Sequence, residues 1–356
     1  MKILKTQQSR LPEVDFKNLP FGRTFSDHMY VCDYKDGKWD DGQIVPFGHF
    51  TIHPASMALH YGQALFEGMK ASKMSDGTPA LFRPIEHAKR INRSAHRMMI
   101  PEFPEQQFLE AVRELVALDA DWIPPQEGSA LYIRPFMFAT DEFIGVRPSD
   151  TYRFMIFTGP VGPYYAKPVK LWVEQKYVRA VPGGTGEAKA AGNYGGSLLP
   201  AHEARQRGFD QLMWMGGPNM REIQEVGTMN IFFVIGDEVV TPETDGAILK
   251  GITRKSFIEI LEREGYNISA RKITIDEVVE AYEQGQLKEC FGAGTAAVVS
   301  HVQLIQFGEM AMELPSADDR PVGEFLKNYI NGLRSGRIAD KFGWVEPIGV
   351  EESVLA

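Results

Sequence analysis

The chain has 356 residues, of which 44% are hydrophobic and 24% charged, a composition typical of a globular protein long enough for two domains. Acidic residues outnumber basic ones by 47 to 38, and the net charge of −9 argues against a nucleic-acid-binding protein. Two cysteines are too few for a disulfide framework, the N-terminus does not resemble a signal peptide, and no apolar run is long enough to span a bilayer, so we expect a cytoplasmic protein.

The first half of the chain predicts a mixture of helices and strands. Apolar residues recur with helical spacing over Pro84–Met99 and again over Pro104–Leu118. The two runs that follow, Ala130–Phe138 and Tyr152–Thr158, are rich in apolar and aromatic residues and predict strands.

A segment rich in proline and glycine separates the two halves. In GPVGPYYAKP, at 159–168, five of the ten residues are Pro or Gly, which is typical of a boundary between domains. We therefore place an N-terminal domain at 1–160, a linker at 161–168 and a C-terminal domain at 169–356.

The second half also predicts both kinds of element. Runs of apolar residues predict strands at 169–174, 211–215 and 230–235. Helical spacing predicts helices at Ser197–Arg207, Thr253–Glu264, Asp276–Gln286 and Pro321–Ser335. Because helices and strands do not alternate regularly, the pattern predicts a mixed α/β (α+β) fold and not a doubly wound sheet.

The glycine-rich segment GGTGEAKAAGNYGG, at 183–196, carries one lysine and allows three interpretations. A phosphate-binding loop of the Walker type needs adjacent Gly-Lys-Ser/Thr, but Ala188 and Ala190 flank Lys189. A mobile linker is the second interpretation, and the setting of a reactive amine is the third. Glycines let a planar ligand approach the backbone closely, and a helix predicted near Ser197 follows at once.

A second glycine motif, Gly292–Ala297, fits the loose pattern G-x-G-x-x-A of dinucleotide-binding proteins. That site requires a helix directly after the glycines, whereas the residues AAVVSHV predict a strand. A nicotinamide-dependent oxidoreductase is therefore only weakly indicated.

The lysine segment resembles that of branched-chain amino acid aminotransferases, in the fold-type IV (class IV) family of pyridoxal-phosphate enzymes. Further motifs resemble the same family in its own order. They are HYGQALFEGMKA (60–71), LFRP (81–84), LYIRP (131–135), QEVGTMNIFFV (224–234), ILKGITRKS (248–256) and FGAGTAA (291–297). The resemblance implies a small N-terminal α/β domain, a larger C-terminal domain with a β pseudo-barrel that carries the lysine, and at least a homodimer.

The resemblance also assigns residues to the cofactor pyridoxal 5′-phosphate. Lys189 corresponds to the Schiff-base lysine and proton shuttle, and Glu225 to the carboxylate beside the pyridine nitrogen, with Glu222 as the neighbour most easily confused with it. Tyr194 corresponds to the tyrosine that binds the phenolic oxygen. The remaining cofactor-binding residues, most of them for the phosphate, are Arg83, Thr228, Ile252, Thr253 and Thr295, and no residue is assigned to a metal.

A second set corresponds to the substrate pocket of the family. Tyr132, Arg134, Thr295 and Ala296 are implied at the carboxylate end, and Tyr61 and Phe66 along the apolar wall. Ile144 and Val146 match a loop that reaches the partner subunit's site. Lys70 and Tyr61 are candidates for the polar groups at the pocket rim that accept the second carboxylate of 2-oxoglutarate.

The function implied is the reversible ping-pong transfer of the amino group of leucine, isoleucine or valine to 2-oxoglutarate. Three alternatives remain open at this point. Another fold-type IV enzyme, a D-amino acid aminotransferase or an aminodeoxychorismate lyase, would keep the cofactor residues and differ at the substrate end. A non-catalytic binding module and a nicotinamide-dependent enzyme are the others.

Overall fold

The computed structural model describes residues 1–162, 167–316 and 319–349. Contacts between residues divide the chain into two compact units. The first unit comprises the described residues of Met1–Tyr164, Ala188–Ala191 and Asn331–Ala356. The second comprises those of Tyr165–Glu187 and Gly192–Ile330.

This division differs from the predicted domains at two places. Residues 188–191 and 331–349 belong to the first unit, although the sequence predicts them in the C-terminal domain. With these additions the first unit holds more of the described residues than the second, whereas the larger domain is expected in the C-terminal part. Residues 163–166, the centre of the predicted linker, lie outside the described residues.

The strands and helices are numbered in chain order over the described residues. The strands are β1 (Lys2–Ile3), β2 (His28–Lys35), β3 (Lys38–Trp39), β4 (Gln43–Pro46), β5 (Ala64–Phe66), β6 (Met69–Lys73), β7 (Pro79–Phe82), β8 (Ala130–Ala139), β9 (Tyr152–Val161), β10 (Val169–Val173), β11 (Gln211–Gly216), β12 (Glu222–Val226), β13 (Asn230–Ile235), β14 (Glu238–Thr241), β15 (Asn267–Ala270), β16 (Leu287–Gly294), β17 (Val298–Phe307), β18 (Met310–Glu313) and β19 (Val345–Pro347). The α-helices are α1 (Met57–Tyr61), α2 (Pro84–Arg97), α3 (Glu105–Leu118), α4 (Ala191–Gly195), α5 (Leu198–Gln206), α6 (Ile252–Arg263), α7 (Ile275–Glu283) and α8 (Pro321–Arg334).

The elements predicted from residue spacing are confirmed, with ends that differ by a few residues. The two helices predicted in the first half are α2 and α3, and the two strands are β8 and β9. Strand β9 continues to Val161, so the first residue of the predicted linker is part of a strand. The elements predicted in the second half are β10, β11, β13, α5, α6, α7 and α8. Of the helices in the described part of the chain, none is both long and apolar enough to cross a membrane.

The first unit is built on a largely antiparallel sheet of ten strands among its described residues. The strand order is β1-β4-β2-β9-β8-β6-β7-β19, with β3 on β2 and β5 on β8. At the centre, β8 and β9 pair over their full length, from Ala130 opposite Val161 to Ala139 opposite Tyr152. The buried core of this unit combines residues of several strands of the sheet, of α2 and α3, and of connecting segments such as those with Phe103 and Ile123.

Successive side chains of β8 point to opposite faces of the sheet, so only one set of them is free of the core and can contact a ligand. Leu131, Ile133 and Met137 are buried in the core with α2 and α3. Because successive side chains of a strand point to opposite faces, Tyr132 and Arg134 project from the other face of the sheet. Strand pairing places Lys70 of β6 directly opposite Tyr132, on that same face.

The second unit contains a mixed sheet of nine strands among its described residues. Its order is β12-β11-β10-β17-β16-β13-β14-β15, with β18 on β17. The sheet curls into a half-barrel. Helix α7 contributes Ile275, Val278 and Ala281 to the core of this sheet. Helix α6 packs through Phe257, whose ring lies 5.7 Å from that of Phe232 in β13.

A buried ion-pair network ties α2 to the sheet of the first unit. Glu67, which follows β5, is fully buried and accepts hydrogen bonds from Arg90 Nε at 2.6 Å and Arg90 Nη2 at 2.8 Å. His87 Nδ1 lies 2.8 Å from the same carboxylate. Burial alone would raise the pKa of Glu67, but the charge of Arg90 and the hydrogen bonds from Arg90 and His87 outweigh it and hold that pKa well below its usual value.

We expect Arg90→Met to lower the free energy of unfolding by about 3–5 kcal/mol, because it leaves the buried Glu67 carboxylate without its cationic partner. Urea denaturation followed by circular dichroism measures the change. The matched control is Arg113→Met, which removes an arginine from a half-exposed pair with Glu346 and should cost under about 1 kcal/mol. Equal losses in the two variants would contradict the network's role.

Candidate active site

The glycine-rich segment is closed by its own hydrogen bonds. Thr185 Oγ1 donates to Asn193 Oδ1 at 2.7 Å, and Asn193 Nδ2 donates to the Thr185 carbonyl at 2.8 Å. Helix α4 begins within the segment, and Ser197 Oγ donates to the Tyr194 carbonyl at 2.7 Å. These contacts argue against the interpretation of the segment as a mobile linker.

Lys189 is fixed to the first unit through both of its backbone polar groups. Its N–H donates to Ser94 Oγ at 3.0 Å, and its carbonyl accepts from the Phe66 N–H at 3.1 Å. The half-buried side chain places Nζ 4.9 Å from the centre of the Phe66 ring. The primary amine is thus held beside an aromatic face, on a backbone fixed by two hydrogen bonds.

Helix α2 supports both backbone hydrogen bonds of Lys189, one directly and one through Glu67. Ser94 lies on α2 at the spacing i, i+3, i+7 from His87 and Arg90, so the three polar side chains share one side of the helix. The latter two hold Glu67, which directly follows Phe66. The position of Lys189 therefore depends on the network that joins α2 to the sheet.

The face of the sheet that carries Tyr132 and Arg134 is cationic. Arg134 Nη2 donates to the Tyr132 hydroxyl at 3.0 Å, and its guanidinium lies 4.5 Å from the centre of the Phe66 ring. The buried Nε of Arg134 has no hydrogen-bond partner within the described residues. A buried guanidinium donor of this kind suits a carboxylate. Gly68 permits the arrangement, because a Cβ there would lie 2.3 Å from the Tyr132 hydroxyl oxygen.

Lys70 adds a titratable amine to this face. It is buried, and burial together with the nearby charge of Arg334 lowers its pKa to about 7. Burial likewise lowers the pKa of Arg334 to about 10. An anion bound near this pair would favour the charged form of Lys70.

Arg83 stands at the start of α2 in the left-handed backbone region, with φ of 49°. Its buried guanidinium lies 4.3 Å from the centre of the Trp344 ring, and its N–H donates to the Trp344 carbonyl at 2.7 Å. The structure thus places the predicted phosphate-binding arginine in the same unit as Lys189.

In the second unit, Glu225 of β12 is a buried carboxylate with cationic support. Its Oε1 accepts from the Leu249 N–H at 2.7 Å and lies 3.4 Å from Arg179 Nη2. Glu222, three residues earlier, instead pairs with the exposed Lys272 at 3.2 Å. The structure therefore separates the two glutamates, and Glu225 is the one that could hold a buried cationic nitrogen.

The start of α6 lies next to this carboxylate. Leu249, whose N–H binds Glu225, also accepts a hydrogen bond from Asn230 Nδ2 at 2.9 Å through its carbonyl. The following Gly251 is close to Asn230, because a Cβ there would lie 1.9 Å from Asn230 Oδ1. The amides of Ile252 and Thr253, in the first turn of α6, have no acceptor within the helix and can bind an anion.

The turns that carry the other predicted residues of the second unit differ in exposure. Thr295 and Ala296 are half-buried in the turn between β16 and β17, and Val298, just beyond them, has φ of 63°. A β-branched residue rarely adopts this conformation, and such strain is often found at functional sites. Thr228 is exposed in the turn between β12 and β13.

Tyr61, Ile144 and Val146 lie at the surface of the first unit, with exposed fractions of 39%, 65% and 91%. Hydrogen bonds join the segment before Tyr61 to the segment before Ile144. Ser56 Oγ donates to the Ala139 carbonyl at 2.9 Å, and the Met57 N–H donates to the Asp141 carbonyl at 3.1 Å. The three residues are therefore exposed, whereas the groups around Lys189 are buried or half-buried.

Sequence reasoning missed the residues that support the site. Arg179, Ser94, Glu67 and Trp344 were assigned no role, because each acts through a partner distant along the chain. Arg179 lies in YVRAVPGG, ten residues before the lysine, and the available sequence signal is its charge four residues before the glycine-rich segment begins.

We expect Lys70→Met to stabilise the protein relative to wild type at about pH 7, and this advantage to shrink towards about pH 10. The pKa of Lys70 is lowered to about 7 in the folded state, so over this range the unfolded wild type binds a proton that the folded protein does not. The deprotonation of Lys70 therefore makes the free energy of unfolding of the wild type rise with pH, whereas the variant has no such pH dependence at this position. Urea denaturation at several pH values measures the difference, and a difference that stays constant with pH would contradict the prediction.

The model of the amino-transferase class IV family matches residues 64–305. The chain is 46% identical over 344 residues to branched-chain-amino-acid aminotransferase 2 of Bacillus subtilis (strain 168), covering 96% of this chain and 95% of that relative.

Two solved structures show the same fold. The branched-chain amino acid aminotransferase of Escherichia coli matches with a TM-score of 0.74 at 26% identity, covering 91% of this chain and 99% of that chain. The branched-chain aminotransferase of the archaeon Thermoproteus uzoniensis, solved with norvaline, matches with a TM-score of 0.73 at 25% identity, covering 90% and 100%. The expected fold class is confirmed, and the chain belongs to the class IV aminotransferase family.

Proposed function

We propose that the protein is a branched-chain amino acid aminotransferase that uses pyridoxal 5′-phosphate. It transfers the amino group of leucine, isoleucine or valine reversibly to 2-oxoglutarate. The observation that carries the substrate class is the near-full-length similarity to the Bacillus subtilis relative of that name. The fixed Lys189 and the buried Glu225 support the chemistry.

The donor set of this chain fits the cofactor, which supplies an aldehyde and an electron sink when it is bound. Lys189 offers the primary amine for the aldehyde, and Glu225 the carboxylate for the ring nitrogen. Arg83, Thr295 and the amides of Ile252 and Thr253 would hold the phosphate. Tyr194 and Thr228 complete the proposed set of cofactor-binding residues.

Each residue has a separate task in the proposed reaction. Lys189 Nζ would accept the proton lost from the substrate Cα, because an amine on a fixed backbone can act as a base. Glu225 would hold the ring nitrogen, with Arg179 and the Leu249 N–H beside its carboxylate. Arg134 holds the substrate carboxylate through its buried donors, with the Tyr132 hydroxyl beside it. The amides near Thr295 and Ala296 would contribute to the same end.

One pocket must accept both an apolar side chain and a second carboxylate. The ring of Phe66 offers an apolar wall for an isobutyl or isopropyl group. Lys70 lies opposite Tyr132 in the sheet and offers a cation for the second carboxylate of 2-oxoglutarate, with Tyr61 as a further rim group. The charged form of Lys70 would then depend on which substrate is bound.

The exposed residues Ile144, Val146 and Tyr61 support a homodimer of this chain. Their side chains expose apolar surface that favours burial against a partner. We propose that a second copy covers this surface and that the loop contributes to the partner's site. A cytoplasmic location is part of the same proposal, and both cysteines are buried and unpaired.

We expect the purified protein with added pyridoxal 5′-phosphate to transfer the amino group of L-leucine to 2-oxoglutarate, measured as glutamate formed. Lys189→Ala should lower kcat by at least about 10³-fold, since it removes both the attachment point and the base. The matched control Lys288→Ala removes an exposed lysine of β16 and should keep wild-type activity.

The same assay separates the alternatives. Turnover of D-alanine without turnover of L-leucine would identify another fold-type IV enzyme. Binding of the cofactor without turnover of either substrate would favour a non-catalytic protein. Binding of a nicotinamide dinucleotide is not expected, because a strand and not a helix follows the motif Gly292–Ala297.

A further inference from the structure

The C-terminal segment 340–347, here called the strap, is held against the start of α2. Its strand β19 pairs with β7, with Val345 opposite Phe82. The turn before the strand is closed by Asp340, whose carboxylate accepts from the Phe342 N–H at 3.0 Å and the Val345 N–H at 2.7 Å. These hydrogen bonds fix the turn that carries Trp344, and they involve residues of the chain alone.

The indole ring of Trp344 is itself constrained. It is buried, stacks on Phe342 with ring centres 4.0 Å apart, and meets the edge of Phe82 at 5.8 Å. The Arg83 guanidinium lies over the indole at 4.3 Å from its centre. A cation at this distance from the face of a tryptophan is attracted to it, most strongly where water is excluded.

The strap also binds the backbone of Arg83. The Arg83 N–H donates to the Trp344 carbonyl, while the Arg83 carbonyl accepts from the Glu86 N–H at 3.1 Å in the first turn of α2. Arg83 keeps a left-handed conformation, with φ of 49°, which residues other than glycine seldom adopt. Such a conformation persists only where its surroundings dictate it, and it is often found where a side chain must be aimed.

We infer that Trp344 is a positioning residue for Arg83 and that the strap is part of the binding site for the cofactor's phosphate group. Trp344 orients the guanidinium by its ring face and the backbone by its carbonyl. A guanidinium whose plane is already set loses less freedom when it binds phosphate with its planar fork. The inference rests on the proposed function, because it takes the ligand to be a phosphate monoester such as pyridoxal 5′-phosphate.

The test compares two ligands that differ in the phosphate alone. The dissociation constants of pyridoxal 5′-phosphate and of pyridoxal are measured by absorbance titration of the full-length chain freed of cofactor. Trp344→Leu should weaken binding of pyridoxal 5′-phosphate by about tenfold and leave that of pyridoxal unchanged, because only the phosphate uses Arg83. Trp344→Phe keeps an aromatic face and should lose only about two- to threefold.

The matched control is Trp39→Leu, which removes another tryptophan of the first unit that packs against aromatic rings. Trp39 packs on Phe103 at 5.0 Å and donates from Nε1 to the Glu102 carbonyl at 2.9 Å. This variant should bind both ligands as wild type does. Thermal unfolding of each cofactor-free variant checks folding, and if Trp344→Leu does not fold, the phosphate-specific loss in Trp344→Phe decides the question.

Two results would overturn the inference: an equal loss for both ligands in the Trp344 variants, which would mean a structural role, or unchanged affinity for pyridoxal 5′-phosphate. Failure of the proposed function has a different signature. A wild-type protein that does not turn over L-leucine, but whose Trp344 variants lose phosphate-specific affinity, would overturn the substrate assignment and support the role of Trp344.

Discussion

The buried carboxylate of Glu67 is the interaction on which the first unit and its candidate site depend. An ionised carboxylate excluded from water is costly unless cations and hydrogen bonds surround it, and here α2 supplies both through Arg90 and His87. These contacts fix the position of α2 relative to the end of β5. Ser94 of that helix and Phe66 of that strand bind the two backbone groups of Lys189, so the position of Lys189 depends on the same network.

The electrostatics of the molecule are local. The chain carries a net charge of −9, yet the sheet face of the first unit collects Lys70 and Arg134 on neighbouring strands. The second unit instead buries a carboxylate, that of Glu225, which lies beside Arg179 and accepts a hydrogen bond from a backbone amide. Buried groups interact more strongly than exposed ones, so small anionic substrates can be held despite the repulsive overall charge.

Residue spacing predicted the regular elements well, because burial of one face imposes a period of 3.6 on a helix and 2 on a strand. Helices α2 and α3 and strands β8 and β9 follow from it, and alternation along β8 already places Tyr132 and Arg134 on one face. The motifs singled out Lys189, Arg83 and Glu225, and their roles stay predictions until tested. The resemblance favoured Glu225 over its neighbour Glu222. In the structure the two carboxylates differ in their surroundings, since Glu225 is buried beside Arg179 and Glu222 pairs with the exposed Lys272.

The amino-acid sequence by itself determined the longer helices, five of the strands and the mixed α/β class, and it provided candidate residues for transamination, because these depend on local periodicity and on short motifs. Tertiary structure decided the rest. It placed residues 188–191 and 331–349 with the first unit, against the predicted domain boundaries. It also brought Ser94 to the lysine, Trp344 to Arg83 and Arg179 to Glu225. These pairs are 95, 261 and 46 residues apart along the chain. Pairs so far apart are selected by packing and by the need to satisfy buried polar groups, neither of which leaves a local pattern in the sequence.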